Sequence, residues 1–217
     1  MGPIERYEAQ RPLARVGASH HRAARRHARH GLLCVLAAHR ARGGGGGRFG
    51  EGFSLARMSW IKPNFLWMMH RAGWATKPAQ ESVLAVSIAR EGFDALLAAA
   101  VHAAHVPEVY GDRGAWQRAV KASDVRLQWD PDHAPGGPPV LRRALQLGLR
   151  DGALRRYVDE WILGIEDITD FVRAQHRLVL RGDLDALETP REEVYSVGDP
   201  AVAARLQLDP WPPPTPP

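Results

Sequence analysis

The sequence predicts an α+β fold, in which a small mixed or antiparallel sheet is covered by helices. The 217 residues are 45% hydrophobic and 24% charged, a composition typical of a soluble globular domain. The chain contains both kinds of periodic pattern: apolar and polar residues alternate as in a strand in Val125–Trp129, and apolar residues form a helix-like face in Glu91–His105. We expect a disordered N-terminal arm before this domain and a proline-rich tail after it.

Composition divides the chain into three parts. Residues 1–47 form a low-complexity Arg/His/Gly-rich segment, residues 48–198 a single α+β domain, and residues 199–217 a proline-rich tail. The first fifty residues carry ten arginines and two glutamates, whereas the remainder carries 19 basic and 22 acidic residues. The folded body is therefore mildly acidic, and nucleic acid is not an expected partner for it.

The N-terminal segment has three open interpretations. It contains no Asp, Glu or Lys between Pro12 and Gly50. It could be disordered because it buries too little apolar area, or it could be a basic arm for nucleic acid or acidic membrane. Alternatively, residues 12–47 result from translation of GC-rich DNA in the wrong reading frame, and the native frame resumes near Arg48. Resequencing that DNA tests the third interpretation.

The first elements of the body follow from local signals. A short helix is predicted over Asn64–Arg71, since Pro63 suits a first helical turn and Gly73 can end the helix. The five apolar residues Phe65–Met69 fit a buried strand as well. Ser82–Ala89 is apolar and β-branched, which predicts a buried strand.

Helices and strands are also predicted further along the chain. Alanine and leucine favour a helix over Glu91–His105, and a shorter helix is expected over Asp112–Lys121. Val125–Trp129 alternates apolar with polar residues and is the clearest strand. A loop is expected over Asp130–Pro139 because of its prolines and glycines, and Val140–Leu149 fits another strand.

The C-terminal part is predicted to be largely helical. Helices are expected over Arg155–Gly164 and Asp167–Leu180, followed by a short extended segment at Val194–Val197. The final residues DPWPPPTPP can neither pair in a sheet nor continue a helix, so we expect an extended tail.

One aromatic and cationic run supplies most of the candidate site. Three of the seven tryptophans lie between Ser59 and Lys77. The candidate ligand-binding residues in this run are Lys62, His70, Arg71, Trp74, Thr76 and Lys77. A second group, Arg126, Gln128 and Asp130, lies on the polar side of a predicted strand and in the loop that follows it.

These two groups predict a cleft in which aromatic walls stack on a base or nicotinamide while cations hold an anion. Convergence of Arg71 and Arg126 is the central expectation. The alternative is that both arginines pair with acidic residues at the surface. Asp130–His133 could instead serve acid–base or metal chemistry, although turn formation is the commoner role of such a run.

Several signatures of common enzymes are absent from the sequence. It lacks GxSxG, a Walker loop, GxGxxG after a strand, and HExxH. His102 and His105 have a workable metal spacing, but no carboxylate partner stands at a matching position. No catalytic residue and no metal ligand is therefore assigned.

Five motifs in order support a family resemblance. They are WIKPNFLWMMHRAGWATK, QESVLAVSIAREGFDALL, SDVRLQWDPDH, RRALQLGLR and YVDEWILGIEDITDFV. From Arg48 to Val197 the chain resembles the uncharacterised family called domain of unknown function 4291. The resemblance implies no catalytic residues, because the family's activity is not established. It also implies an earlier strand-bearing region with a VYQAY-like run, which the N-terminal segment here does not contain.

These features predict a cytoplasmic enzyme that acts on a nucleotide or another anionic ligand. The single cysteine, Cys34, indicates a reducing compartment. The most specific version is an ADP-ribosyltransferase-like enzyme using NAD. The lack of a convincing Glu on a late strand counts against this version. The alternatives are a non-catalytic protein-interaction or ligand-binding module and nucleic-acid binding through the arm. No apolar run is long enough for a membrane span.

Overall fold

The computed structural model describes residues 4–7, 25–26, 32–38, 43–44, 48–50 and 53–209. The strands are β1 (Ile4–Arg6), β2 (Arg25–Arg26), β3 (Leu32–Ala38), β4 (Gly43–Gly44), β5 (Arg48–Phe49), β6 (Ser59–Ile61), β7 (Ser82–Ile88), β8 (Val101–His102), β9 (Val125–His133), β10 (Pro139–Leu149), β11 (Ile162–Asp167), β12 (Glu188–Pro190) and β13 (Glu193–Val194). The helices are α1 (Phe65–Ala72), α2 (Arg90–Ala99), α3 (Pro107–Tyr110), α4 (Arg113–Ala122), α5 (Asp151–Arg156), α6 (Thr169–Arg181) and α7 (Pro200–Arg205), and a π turn spans Tyr157–Trp161.

Two sheets form the centre of the molecule. The larger has the order β6-β10-β9-β8, with β8 parallel to β9 and the other pairs antiparallel. The smaller has the order β11-β7-β3 and is antiparallel throughout. Helices covering mixed and antiparallel sheets confirm the predicted α+β class.

Strand β7 separates two hydrophobic cores. Its residues Leu84, Val86 and Ile88 are buried in the first core, with α2 and the apolar face of β9 and β10. The intervening residues Val83 and Ala85 are buried in the second core, with α1 and α6. Alternate side chains of a strand point to opposite faces, so one strand can serve both cores.

The helix after Pro63 is confirmed, and it ends as predicted. Gly73 adopts a left-handed conformation (φ 57°) and its N–H bonds to the carbonyls of Met69 and His70. The strands at 82–88 and 125–133 and the long helix after Thr169 also agree with the sequence patterns.

Three predicted boundaries are wrong. The helix expected to reach His105 stops at Ala99, and Val101 and His102 pair with β9 instead. The expected loop after Trp129 begins four residues later, because β9 continues to His133 opposite β10. Pro131 is tolerated there since the ladder is irregular between Val140 and Arg143.

The predicted helix over residues 155–164 is the third error. The helical part ends in a π turn at Trp161, and β11 then pairs with β7. Burial of Tyr157 and Trp161 against the first core sets this path. Gly92 of α2 allows it, because a Cβ there would lie 2.3 Å from Cγ of Trp161.

The two terminal segments are described only in part. Within residues 1–47 the structure contains β1 to β4, and β3 pairs with β7 over seven residues. Elsewhere in the segment the prediction of disorder falls on residues outside the described ranges, and the shifted reading frame stays a prediction. Within the predicted tail, α7 places Val202 and Leu206 in the first core, while residues 210–217 lie outside the described part.

Among the described residues, no helix has both the length and the apolar character needed to cross a membrane.

Candidate functional site

The larger sheet has one apolar face and one polar face, which follows from strand alternation. Leu127, Leu145 and Leu147 point into the first core. The residues between them, Gln128 and Gln146, are directly opposite each other in the β9–β10 ladder. They therefore share the other face of the sheet.

Lys62 joins these two glutamines in one row across three strands. Leu147 is paired with Ile61 on β6, so the next step of the register puts Lys62 opposite Gln146. Lys62 is only 9% exposed, as is Gln146. Its Nζ lies 5.3 Å from the ring centroid of Trp67 and 3.4 Å from the carbonyl oxygen of Trp60. A nearly buried ammonium over an indole face is a charge held in a fixed place.

Asp130 orients the two amides of this row. Nε2 of Gln128 donates to one carboxylate oxygen at 2.8 Å, and Nε2 of Gln146 donates to the other at 2.7 Å. Because both amino groups point at Asp130, both amide oxygens are directed away from it and remain as acceptors. The row therefore presents hydrogen-bond acceptors beside one fixed cation.

Trp60 lies across the sheet next to this row. It is paired with Gly148, and a Cβ at Gly148 would come within 3.0 Å of two indole carbons. The glycine is needed because Sδ of Met58, 2.7 Å from that Cβ, and the indole of Trp60 occupy the space of a side chain. Trp60 is half-buried. We call Trp60, Lys62, Gln128, Asp130 and Gln146, with Trp67, the polar row.

Arg126 lies on the same strand as Gln128 but has another role. Its guanidinium donates to the carbonyls of Val120 and Ser123 at the C-terminal end of α4, the latter at 2.9 Å. Burial and the nearby Arg150 lower the pKa of Arg126, which Asp124 partly offsets. The charge of Arg126 is thus used to cap a helix, an arrangement that stabilises helix C-termini.

Lys77 and Thr76, which follow α1, also bind backbone carbonyls. Lys77 Nζ donates to the carbonyls of His70 and Arg71 at 3.1 and 3.0 Å, and Thr76 Oγ1 donates to Gly73 at 2.6 Å. Arg71 is exposed and donates to Gln80 at 3.3 Å.

Arg71 and Arg126 do not converge as expected. His70, next to Arg71, stacks on His133 at the end of β9. Arg126 stands seven residues earlier on that strand, roughly 20 Å away at about 3.3 Å per residue. The structure therefore brings Lys62 together with Gln128 and Asp130 and leaves His70, Arg71, Trp74, Thr76 and Lys77 as a separate group.

Sequence reasoning missed Gln146 and Trp67. Gln146 alternates with Leu145, Leu147 and Leu149, so a firm strand assignment for that segment would have found it. Trp67 lies within the apolar run of α1, and nothing in its spacing distinguishes a wall of a site from a core residue.

A second, fully buried polar network fixes the start of α1. The Asn64 side chain accepts from the N–H of Leu145 at 3.2 Å and donates to Asp132 at 3.5 Å, and Asp132 is paired with Arg142. Glu192 accepts from the N–H of Phe65 at 2.9 Å. This network positions α1, and thereby Trp67, over the polar row.

The metal interpretation of Asp130–His133 finds no support in the geometry. Asp130 points at the glutamines, while Asp132 is completely buried against Arg142. Within the described ranges, no three His, Cys, Asp or Glu side chains are grouped as a metal would require. His102 is instead hydrogen-bonded through Nδ1 to the hydroxyl of Tyr110 at 3.0 Å.

Comparison with known proteins identifies the family but not the activity. Residues 41–195 match the family described as Domain of unknown function (DUF4291), and the chain belongs to this family. The sequence resemblance is thus confirmed. No curated protein and no solved structure matches the chain.

Proposed function

We propose that the polar row binds a small anionic ligand of the nucleotide type. The observation that carries this proposal is the position of Lys62, 9% exposed between Trp67 and the Gln146–Gln128 pair. A lysine held this way can donate charge-assisted hydrogen bonds to a phosphate or carboxylate.

The other groups of the row suit the remainder of such a ligand. The amide oxygens of Gln128 and Gln146 accept hydrogen bonds from an amino group or from sugar hydroxyls. The half-buried indole of Trp60 offers a flat surface on which a base can stack. A nucleoside phosphate carries all three features, whereas a simple anion such as phosphate carries only one.

An enzymatic role is the further step of this proposal. Its most specific version is an ADP-ribosyltransferase-like reaction using NAD, for which the supporting layout is an arginine with hydroxyl and aromatic groups on successive elements. Arg126 is the arginine of that layout on β9, and its contacts with α4 weaken this version. NAD is therefore tested beside simpler nucleotides. The single cysteine supports the cytoplasmic setting proposed for it.

The two alternatives have less support. A protein-interaction module would be favoured by an exposed apolar patch around Trp60 and Trp74, but Trp74 is only 6% exposed. Nucleic-acid binding through the arm depends on residues that are largely outside the described ranges, so it stays a prediction from charge alone.

Titration calorimetry on the full chain with AMP, ADP, NAD and inorganic phosphate tests the proposal. We expect at least one nucleotide to bind more tightly than phosphate. In Lys62→Met, which keeps the apolar stem, affinity should fall about 10- to 150-fold, as for the loss of one hydrogen bond to a charged group. Lys121→Met, an exposed change on α4, is the matched control.

Absence of both heat and a shift in melting temperature with every nucleotide would overturn the proposal. Equal binding by a folded Lys62→Met variant would overturn the assignment to this row. Circular dichroism of each variant verifies that the fold is kept.

A further inference from the structure

The tip of the β9–β10 hairpin is held against the end of α1 by aromatic contacts. Residues 134–138 connect the two strands. At one side of this tip, the rings of His70 and His133 stack with centroids 3.5 Å apart and planes 6° from parallel. At the other, the indole N–H of Trp74 donates to the carbonyl of Pro135 at 3.3 Å.

Hydrogen bonding determines the tautomer of His133. Its Nδ1 lies 2.7 Å from the carbonyl oxygen of Gly137. A carbonyl can only accept, so Nδ1 of His133 carries the proton and donates across the tip. Gly137 has φ 100°, a conformation that other residues rarely adopt, so the tip is shaped for this contact.

We propose that the His70–His133 stack is a pH-sensitive latch that closes the hairpin tip onto α1. Two neutral imidazoles, or one neutral and one charged, can stack face to face. Two imidazolium rings at 3.5 Å repel each other, so full protonation opens the contact. This inference goes beyond ligand binding and does not depend on it.

The surrounding charges favour the neutral state of the latch. Burial lowers the pKa of His70, and His133 and Lys77 lower it further. From α1, Arg71 is the next residue, and its guanidinium donates to Gln80. From α6, His176 faces the same region, stacked on Trp74 at 5.8 Å, and burial lowers its pKa too.

Asp132, the carboxylate bonded to His133, offsets little of this positive charge because it has other partners. Asp132 accepts the backbone N–H of His133 at 2.8 Å, and its side chain is also paired with Arg142 in the interior. Asp132 therefore fixes the backbone of His133, and the two imidazole rings remain close to positively charged groups.

Backbone strain beside the latch supports its ability to open. Trp74 and Ala75 follow Gly73 in the left-handed region, with φ 54° and 64°. Non-glycine residues hold this conformation only where the surrounding contacts enforce it. Release of the tip frees the Trp74–Pro135 contact, which is one of those constraints.

Opening the tip has a consequence for the polar row. Gln128 and Asp130 lie on β9 and Gln146 lies on β10, so all three belong to the hairpin that the latch closes. Loosening the tip therefore loosens the strand pairing that aligns their amides.

Amide hydrogen exchange measured by NMR on the ligand-free full chain tests the latch. The reporters are the amides of Ala134 and Gly137, which are bonded within the tip to Pro138 and Ala134. After correction for intrinsic rates, we expect their protection to fall at least about fivefold relative to Leu127 between about pH 7.5 and about pH 5.5.

His70→Phe keeps a stacking ring without a titrating group and should remove this pH dependence. His105→Phe is the matched control, since His105 contacts Gly111 and not the hairpin, and it should behave as wild type. Tip protection that does not change with pH, or that changes equally in His70→Phe, would overturn the latch.

A wild-type measurement covers the case in which His70→Phe does not fold. NMR titration of the His70 imidazole should give a pKa below the ordinary value of 6.5, and tip protection should fall over the same pH range. Protonation of His70 without any loss of tip protection would overturn the proposal equally.

Discussion

Asp132 shows how a single residue can determine the geometry around it. It is completely buried, and it bonds with Arg142, with the N–H of His133 and with Asn64. Removing one partner of a buried pair leaves the other charge without compensation in a medium that solvates it poorly. The residue is therefore structural, although its position in an Asp-Pro-Asp-His run suggested chemistry.

We expect Asp132→Ala to lower the free energy of unfolding by about 3–5 kcal/mol, because it leaves Arg142 buried and uncompensated. Urea unfolding followed by circular dichroism measures this change. The control is Glu160→Ala, which breaks the exposed Arg156–Glu160 pair and should cost about 0.5 kcal/mol or less. Similar losses in both variants would contradict the structural role of Asp132.

Gly92 gives a second prediction at the residue scale. A Cβ at this position would lie 2.3 Å from Trp161 Cγ, so Gly92→Ala should destabilise the fold by about 1–3 kcal/mol through overpacking. Gly164→Ala is the matched control, since no atom of the described residues beyond its chain neighbours lies within 4 Å of its added Cβ. Thermal unfolding compares the two variants, and an unchanged melting temperature in Gly92→Ala would refute the packing described here.

Helix α1 is the element on which the candidate site depends, and its start is capped from far along the chain. Asn64 makes no side-chain cap bond to the helix, and Glu192 instead accepts the N–H of Phe65. A carboxylate at a helix N-terminus is also favoured by the helix dipole. Residues 127 positions apart in sequence thus orient Trp67 over Lys62.

Glu192→Ala should cost about 1 kcal/mol, as loss of a helix cap typically does. Glu192→Gln keeps an acceptor and should recover part of this loss. Chemical denaturation of both variants tests the prediction, with tryptophan fluorescence as the probe because α1 carries Trp67. Equal destabilisation by Ala and Gln would indicate that the charge, rather than the bond to Phe65, stabilises the helix.

Elements whose signals are local could be predicted from the sequence. The helix between Pro63 and Gly73 and the alternating strand from Val125 follow from signals in residues close together in sequence. The strand at Ile162–Asp167 could not, since its identity depends on pairing with β7, more than seventy residues earlier. The same reason explains the site. Alternation places Gln128 on a polar face, but only the register of β6 on β10 shows that Lys62 lies opposite Gln146 and so in the same row as Gln128.

Across the whole chain, two partly desolvated imidazoles make stability depend on pH. The pKa values of His70 and His176 are both lowered from 6.5, chiefly by burial. The unfolded chain then binds more protons than the native protein between pH 6.5 and the lowered values. Stability is complete above that window and is lost as the pH falls through it.

We therefore expect the melting temperature to fall between about pH 7.5 and about pH 5.5 and to change less below the lowered pKa values. Scanning calorimetry across this range measures the effect. A His70→Phe/His176→Phe double variant keeps both rings and should flatten the curve. The lowered pKa of Asp112, whose carboxylate accepts the N–H of Ala115, acts only near and below pH 3.8 and does not interfere. A wild-type curve without slope in this range would contradict the prediction.

Because β7 separates the two hydrophobic cores, the fold cannot tolerate a shift of this strand along its neighbours. A shift of one residue would exchange Leu84, Val86 and Ile88 with Val83 and Ala85, and every side chain would face the wrong compartment. Bulky chains would then crowd the side lined by α1 and α6, while small ones would leave voids beneath α2. Inserting or deleting one residue in this strand should therefore destabilise the fold far more than any single substitution within it.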